Sequence, residues 1–100
     1  MAAVVHHAGA GTSAAALRAG VPSVPIPHSG DQFFWARRLF QMGAGTRPLP
    51  RNRLNALDLA ERIASAVQDF GMKSRAAELS GRICEEDGAG KTVSAIHELF

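Results

Sequence analysis

The chain opens on a small apolar run, Ala2–Val5, that stops at His6-His7 and gives way to Ala8-Gly9-Ala10-Gly11. Such a run, with no polar alternation, is the pattern of a parallel strand covered on both faces. Ala14-Ala15-Ala16-Leu17-Arg18-Ala19 follows. It is a run of strong helix formers, with Thr12 or Ser13 placed to cap its start and Gly20 and Pro22 placed to end it. The helix is expected over Thr12–Ala19. Ser23-Val24-Pro25-Ile26-Pro27 is the second strand candidate, centred on Ser23–Ile26. Each proline removes a ladder donor, which predicts a short or edge-like strand. His28-Ser29-Gly30 reads as a turn, and Asp31 is positioned to cap a helix reaching Met42. Phe33, Phe34, Trp35, Ala36, Leu39 and Phe40 give that helix a broad apolar face, with Arg37, Arg38 and Gln41 on the wet side.

The second half is helical. Gly43 ends the preceding helix, Ala44–Arg47 is a short strand candidate, and Pro48 and Pro50 mark a connector. Asn55 can cap a helix over Ala56–Asp69, where Leu57, Ala60, Ile63, Ala64 and Val67 fall at helical spacing. Gly71 is the expected break. A further helix over Ser74–Glu86 carries Ala76, Leu79, Ile83 and Cys84, and a last short one beyond Gly88-Ala89-Gly90 carries Val93, Ile96 and Leu99. The alternation predicts an α/β fold: a partial doubly wound, Rossmann-like parallel sheet with flanking helices. Residues 1–70 form the expected binding half-domain. Residues 71–100 add C-terminal helices with no chemistry of their own.

Composition narrows the function classes. One hundred residues make one small domain, and 46% hydrophobic against 20% charged is globular. A net charge of +2, with no basic run and no aromatic-basic interleaving, leaves no nucleic-acid footprint. No stretch has the length of apolar sequence that spans a membrane, and no signal-peptide pattern is visible. The single cysteine excludes an internal disulfide and fits a reducing, cytoplasmic setting. Its place beside Ile83 predicts a small buried hydrophobe. The opening strand has the character of a central one, so the chain is expected to be the C-terminal part of a longer protein, or a truncated reading frame. A sheet cut there predicts self-association.

Strand, glycine turn and helix together carry chemistry. A helix N-terminus presents unpaired N–H groups and partial positive charge, so its natural guest is a phosphate. Gly9 and Gly11 let the backbone turn tightly and let a ligand approach without meeting a Cβ. Thr12 can add a hydroxyl and His7 a ring donor. His6 points the other way in an extended chain, which favours a structural role. Asp31 and Gln32 sit on the next strand-to-helix connection and suit sugar hydroxyls. In an open parallel sheet both connections open on one crevice beyond the carboxyl ends of the strands. A nucleotide-sugar has both parts. A metal site from His6, His7 and His28 lacks any supporting carboxylate or cysteine cluster, so no metal and no cofactor is expected. Two alternatives stand beside this reading. Gly9-Ala10-Gly11-Thr12-Ser13-Ala14 fits G-x-G-x-x-A, with Asp31 20 residues after Gly11, as in a dinucleotide-binding domain of an oxidoreductase. The other is a non-catalytic fragment that only associates with another chain.

The residues His6-His7-Ala8-Gly9-Ala10-Gly11-Thr12, Leu17-Arg18-Ala19-Gly20-Val21-Pro22, Asp31-Gln32, Trp35-Ala36 and Gly43-Ala44-Gly45 resemble the donor-binding signature of the UDP-glycosyltransferase superfamily. The resemblance is to the branch of sterol glucosyltransferases and antibiotic and macrolide glycosyltransferases, and it extends to about Val67. It implies the C-terminal part of a GT-B fold and an inverting transfer of a hexose, such as glucose, from a nucleoside diphosphate sugar. The acceptor is a hydroxyl of a sterol, lipid or natural product. The resemblance also implies phosphate contacts by His7, Gly9, Gly11 and Thr12, and sugar contacts by Asp31 and Gln32. No divalent metal is required. The general base belongs to a preceding acceptor domain, so no catalytic residue is expected within the 100 residues. One position departs. The plant secondary-metabolite branch usually has a ribose-binding glutamate where this chain has Ala15.

Overall fold

A computed structural model describes residues 2–87. The elements in order are β1 (Val4–His6), α1 (Ala10–Ala19), β2 (Ser23–Pro25), α2 (Asp31–Gln41), a 3-10 turn at Arg51–Arg53, α3 (Ala56–Gln68) and α4 (Phe70–Asp87). β1 and β2 pair in parallel, with Val4 opposite Ser23, Val5 opposite Val24 and His6 opposite Pro25. The expected α/β architecture and strand direction are therefore present. The expected short helix around Val93, Ile96 and Leu99 lies outside the described residues.

β2 is short, as expected, but it is not an edge. Its three residues are buried, and it is flanked on both sides. Gly45 forms a parallel bridge to Ser23. The Ser23 N–H donates to the Ala44 carbonyl at 2.9 Å, and the Thr46 N–H donates to the Ser23 carbonyl at 2.9 Å. The prolines explain how a central strand tolerates them. Pro25 and Pro27 lie two apart and so face the same way. Their carbonyls accept from the N–H groups of Leu49 and Arg51 at 3.0 and 3.1 Å. The missing donors thus fall on the side of residues 44–51, and the ladder to β1 is intact.

The core gathers where the helices cross. Leu17 of α1, Leu39 of α2, Ala44, and Ala76, Leu79 and Ile83 of α4 form one buried cluster, with Met42 packed against it. Two polar ties hold α4 in place: Ser80 Oγ–H donates to the Arg18 carbonyl at 2.6 Å, and Arg75 Nε–H donates to the Met42 carbonyl at 3.0 Å. α4 begins at Phe70, earlier than Ser74, with Gly71 inside it. The break lies one residue before Phe70, at Asp69, whose backbone is extended (φ −77°, ψ 101°). Its carboxylate accepts the Met72 N–H at 3.0 Å, so the acid serves as the N-cap and the glycine is carried along. Cys84 is exposed, contrary to the sequence expectation. Ala76, Leu79 and Ile83 are spaced to share one face, and Cys84 is turned about 100° from Ile83 by the helical period.

Several apolar stripes lie open. On α2 only Ala36 and Leu39 are buried, while Phe33, Phe34 and Phe40 are about half exposed. On α3 only Ala66 is buried, and Leu57 is 70% exposed. The far edge of β1 has no strand partner among the described residues, and Val5 on it is 43% exposed. Beside that edge lies an apolar hollow of about 210 Å³ lined by Val4, Thr12, Ala15, Ala16, Ala19 and Val21. None of the helices described is long and apolar enough to cross a membrane.

Gly20 closes α1 as its position predicts. It is left-handed (φ 70°). Its N–H donates to the Leu17 carbonyl and the Val21 N–H donates to the Ala16 carbonyl, a Schellman-type ending. A Cβ there would also stand 3.1 Å from Ser80 Cβ. Gly20→Ala is expected to cost at least about 1–2 kcal/mol, the penalty of an L side chain in that conformation. Urea unfolding of the variant checks this.

Candidate functional site

The site is built from the end of β1. The His6 side chain is buried, and both ring nitrogens are engaged. Nδ1 accepts the Ala8 N–H at 2.9 Å, so the proton of the neutral ring sits on Nε2, which donates to Ser23 Oγ at 2.9 Å. Burial, and then the neighbouring His7, hold the His6 pKa below its ordinary value. Protonation would set an N–H against the Ala8 N–H. His6 is thus a structural neutral imidazole with no lone pair left for a metal ion. Among the described residues no group of three His, Cys, Asp or Glu side chains is placed to hold one.

What His6 holds is a sharp bend. Ala8 is fully buried and lies at φ 68°, a conformation costly for any residue but glycine. The left-handed residue of this turn is therefore Ala8, not either glycine. Gly9 has φ −65° and ψ 156° and is the N-cap of α1, with no side-chain cap hydrogen bond. Thr12 and Ser13, expected as caps, lie inside the first turn. The Ser13 N–H makes the first helical bond, to the Gly9 carbonyl at 2.8 Å. The N–H groups of Ala10, Gly11 and Thr12 precede it and have no helical acceptor. All three residues are exposed. No heavy atom lies within 4 Å of where a Cβ on Gly9 or on Gly11 would stand. Neither backbone angle nor internal packing demands glycine at these positions.

His7, three residues before α1, is exposed. Its Nδ1–H donates to the Ile26 carbonyl at 3.2 Å. Because a carbonyl only accepts, Nδ1 carries the proton, and Nε2 becomes a donor only when the ring is charged. The Ile26 N–H in turn donates to the His6 carbonyl at 2.7 Å. These two bonds tie the carboxyl ends of β1 and β2 together, and the second turn is set by them. Gly30, at φ 59°, is the N-cap of α2. Asp31 is the first helical residue and not the side-chain cap expected of it. Its exposed carboxylate has no partner among the described residues. Gln32 does have an internal role: its Oε1 accepts the N–H groups of His28 and Ser29 at 2.7 and 3.4 Å, bracing the turn and leaving the amide NH₂ as donor.

The structure adds two residues to those picked from sequence. The His28 and His7 rings lie 6.3 Å apart, and the Arg51 guanidinium reaches both His28 nitrogens at 3.2 and 3.3 Å. Arg51 gets there because residues 44–51 run alongside β2: Gly45 matches Ser23, Leu49 bonds Pro25 and Arg51 bonds Pro27. The register slips by one residue between Thr46, which bonds Ser23, and Leu49, which bonds Pro25, so extending the Ala44–Arg47 strand candidate in sequence would have pointed to Pro50 and missed Arg51. The dinucleotide alternative needs its acid at the end of β2. That strand ends at Pro25, and Asp31 belongs to the next helix.

Residues 1–98 match the family model described as the erythromycin biosynthesis protein CIII-like C-terminal domain. The chain belongs to that family. A sterol 3-beta-glucosyltransferase of Arabidopsis thaliana is 42% identical over 95% of this chain, which spans 15% of that protein. An O-mycaminosyltylonolide 6-deoxyallosyltransferase of Streptomyces fradiae is 45% identical over 97% of the chain, which spans 23% of it. A sterol 3-beta-glucosyltransferase of Saccharomyces cerevisiae is 43% identical over 95%, the chain spanning 8% of it. The chain thus covers less than a quarter of these curated relatives. The resemblance carried by H-H-A-G-A-G-T, A-G-V-P and D-Q is that of the CIII-like family. It extends over nearly the whole chain, well past Val67.

His6 makes stability depend on pH in a definite direction. Its folded pKa lies below the unfolded value of about 6.5. Above that pH both states hold a neutral ring and the contribution of His6 is complete. As pH falls through about 6.5 the unfolded chain takes the proton first, and stability is lost. Urea melts at pH 7.5 and pH 5.5 should show the loss. His6→Asn, which keeps an acceptor for the Ala8 N–H but does not titrate, should be less stable at pH 7.5 and show a smaller loss between the two.

Proposed function

We propose that this chain is the sugar-donor-binding part of an inverting glycosyltransferase. The donor is a nucleoside diphosphate hexose and the acceptor a hydroxyl of a sterol, lipid or natural product. One observation carries the reading: the exposed N–H groups of Ala10, Gly11 and Thr12 stand under open space that the hydrogen atoms of Gly9 and Gly11 keep clear. Since neither turn nor packing asks for these glycines, a ligand is the remaining reason for them. The CIII-like relatives, glycosyltransferases by name, support a nucleotide-sugar as that ligand.

In this reading the phosphates lie on the N-terminus of α1, held by those N–H groups, the Thr12 hydroxyl and His7. Nδ1 of His7 is committed to Ile26, so its bond to phosphate is made by Nε2–H of a charged ring, a charge-assisted bond. The hexose lies toward the next turn, where the unpaired Asp31 carboxylate accepts from sugar hydroxyls and the Gln32 amide donates to them. Transfer is a displacement at the anomeric carbon: the acceptor oxygen forms the new bond as the bond to the diphosphate oxygen breaks. Negative charge grows on the departing diphosphate, where the fixed N–H groups and His7 stabilise it. The base that takes the acceptor proton lies on another part of the parent protein. With positive charge supplied by the helix and His7, no divalent metal is invoked. Alone, the chain is proposed to self-associate through the open edge of β1 and the half-exposed phenylalanines of α2.

Calorimetry on the chain with uridine diphosphate and with its glucose conjugate tests the reading. Gly11→Ala should raise folding stability by about 0.5–1 kcal/mol, as alanine replacing glycine in a helix does, yet weaken the diphosphate at least tenfold. Unchanged affinity in this variant would mean the open space is not where the ligand sits. His7→Ala should cost about 1–3 kcal/mol with either ligand, the range for a bond to a charged group. Asp31→Asn should spare the bare diphosphate and weaken only the conjugate. If it weakened both alike, the hexose does not lie against Asp31.

A further inference from the structure

We infer that His28 and Arg51 form a second cationic subsite, specific for the terminal phosphate of the donor's diphosphate. The inference rests on the nucleotide-sugar reading and goes beyond it, since neither residue belongs to the glycine turn. His7 and His28 come from successive connections, and their rings are 6.3 Å apart. At that separation His7 Nε2 and the Arg51 guanidinium seated on the His28 ring can reach different oxygens of one phosphate. The Arg51 guanidinium lies against His28 at 3.2–3.3 Å. Its positive charge is permanent, and no carboxylate among the described residues neutralises it. The acid of this turn, Asp31, is not paired with it. An exposed arginine seated on His28, whose ring neighbours His7, and with no carboxylate partner among the described residues, has anion binding as its evident use. The order of the groups selects the phosphate. The helix end and His7 lie on the β1 side. His28 lies three residues before Asp31, on the sugar side. An anion between them is the phosphate that bears the sugar, so Arg51 would also stabilise the diphosphate as it leaves.

The side chain of Arg51 is exposed, and its backbone N–H keeps the bond to Pro27 whatever the side chain. Arg51→Gln should therefore fold normally, which a thermal melt checks. Titration of the 100-residue chain uses three probes: uridine diphosphate, uridine monophosphate and inorganic pyrophosphate. Arg51→Gln is expected to weaken uridine diphosphate and pyrophosphate about tenfold, within the range for losing a charged hydrogen bond, and to leave the monophosphate within about twofold. Arg51→Lys, a point charge without the fork, should recover part of the loss. His28→Phe, which keeps a ring but removes the nitrogens, should reproduce it. Equal affinity of Arg51→Gln and the unaltered chain for the diphosphate would overturn the subsite. So would equal losses for diphosphate and monophosphate. If the unaltered chain binds pyrophosphate but not uridine diphosphate, the nucleotide-sugar reading fails and the anion subsite stands. If it binds neither, both fail.

Discussion

Everything at the crevice hangs on the neutral ring of His6. One nitrogen holds the Ala8 N–H and the other holds Ser23 Oγ. Ser23 pairs with β1 on one side and bridges to Gly45 on the other. A single side chain thus links the end of β1, the start of β2 and, through Ser23, the third extended segment. It also offsets the cost of Ala8 at positive φ, about 1–2 kcal/mol for an L residue. The bend at Ala8 is what turns the chain from β1 into α1 within three residues, and so aims the helix end over the sheet's carboxyl edge. A charged His6 would lose the acceptor that holds this bend. The low pKa and the geometry are two expressions of the same requirement.

The glycines divide by what surrounds them. Gly20 and Gly30 are at positive φ, where the chain itself needs them. Gly9 and Gly11 meet nothing and bend nothing. Gly11 even weakens the helix it sits in. A residue that costs stability and serves no internal contact is an argument for an external one. Ser13, one turn further on, shows the contrast: its hydroxyl is buried and has no hydrogen-bond partner among the described residues, so it belongs to the interior of the turn while Thr12 remains on its open side.

The strands, their parallel pairing and the main helices were legible because each has a local cause: the alanine run of α1, Asn55 capping α3, Gly20 ending α1. The Asn55 side chain does accept the Asp58 N–H at 2.9 Å. What was not legible depended on partners distant in sequence. The glycines were credited with the tight bend that Ala8 makes, because only the His6 contact stabilises an alanine there. The prolines suggested an edge, because the side of the ladder they spoil depends on where residues 44–51 run. The α3 stripe predicted a buried face, yet Leu57 and Ile63 are exposed, since hydrophobic spacing reports which face seeks cover and not whether cover is present. At the site, His7, Gly9, Gly11, Thr12, Asp31 and Gln32 were visible as a motif. His28 and Arg51 were not, because their proximity is created by the register of the third segment.

The distribution of charge along the crevice follows from the topology. Parallel strands place successive helix N-termini at one edge of the sheet, so partial positive charge accumulates there before any side chain is considered. On the first connection the sequence adds the exposed ring of His7. On the second it adds an acid, Asp31, in the first turn of α2, where the helix dipole favours it and where it has no internal partner. The two connections therefore differ: the first ends in helix N–H groups without a helical acceptor, and the second carries a free acceptor, Asp31. A ligand that is anionic throughout would meet Asp31 unfavourably, and one that is neutral throughout would leave the α1 end unused. In the proposed reading, a molecule with phosphate at one end and hydroxyls at the other meets both. Gln32 sharpens the point: with its oxygen bound to the His28 and Ser29 N–H groups, only its donors face outward, so the second connection offers one acceptor and one donor side by side, the pairing a hydroxyl can use in full.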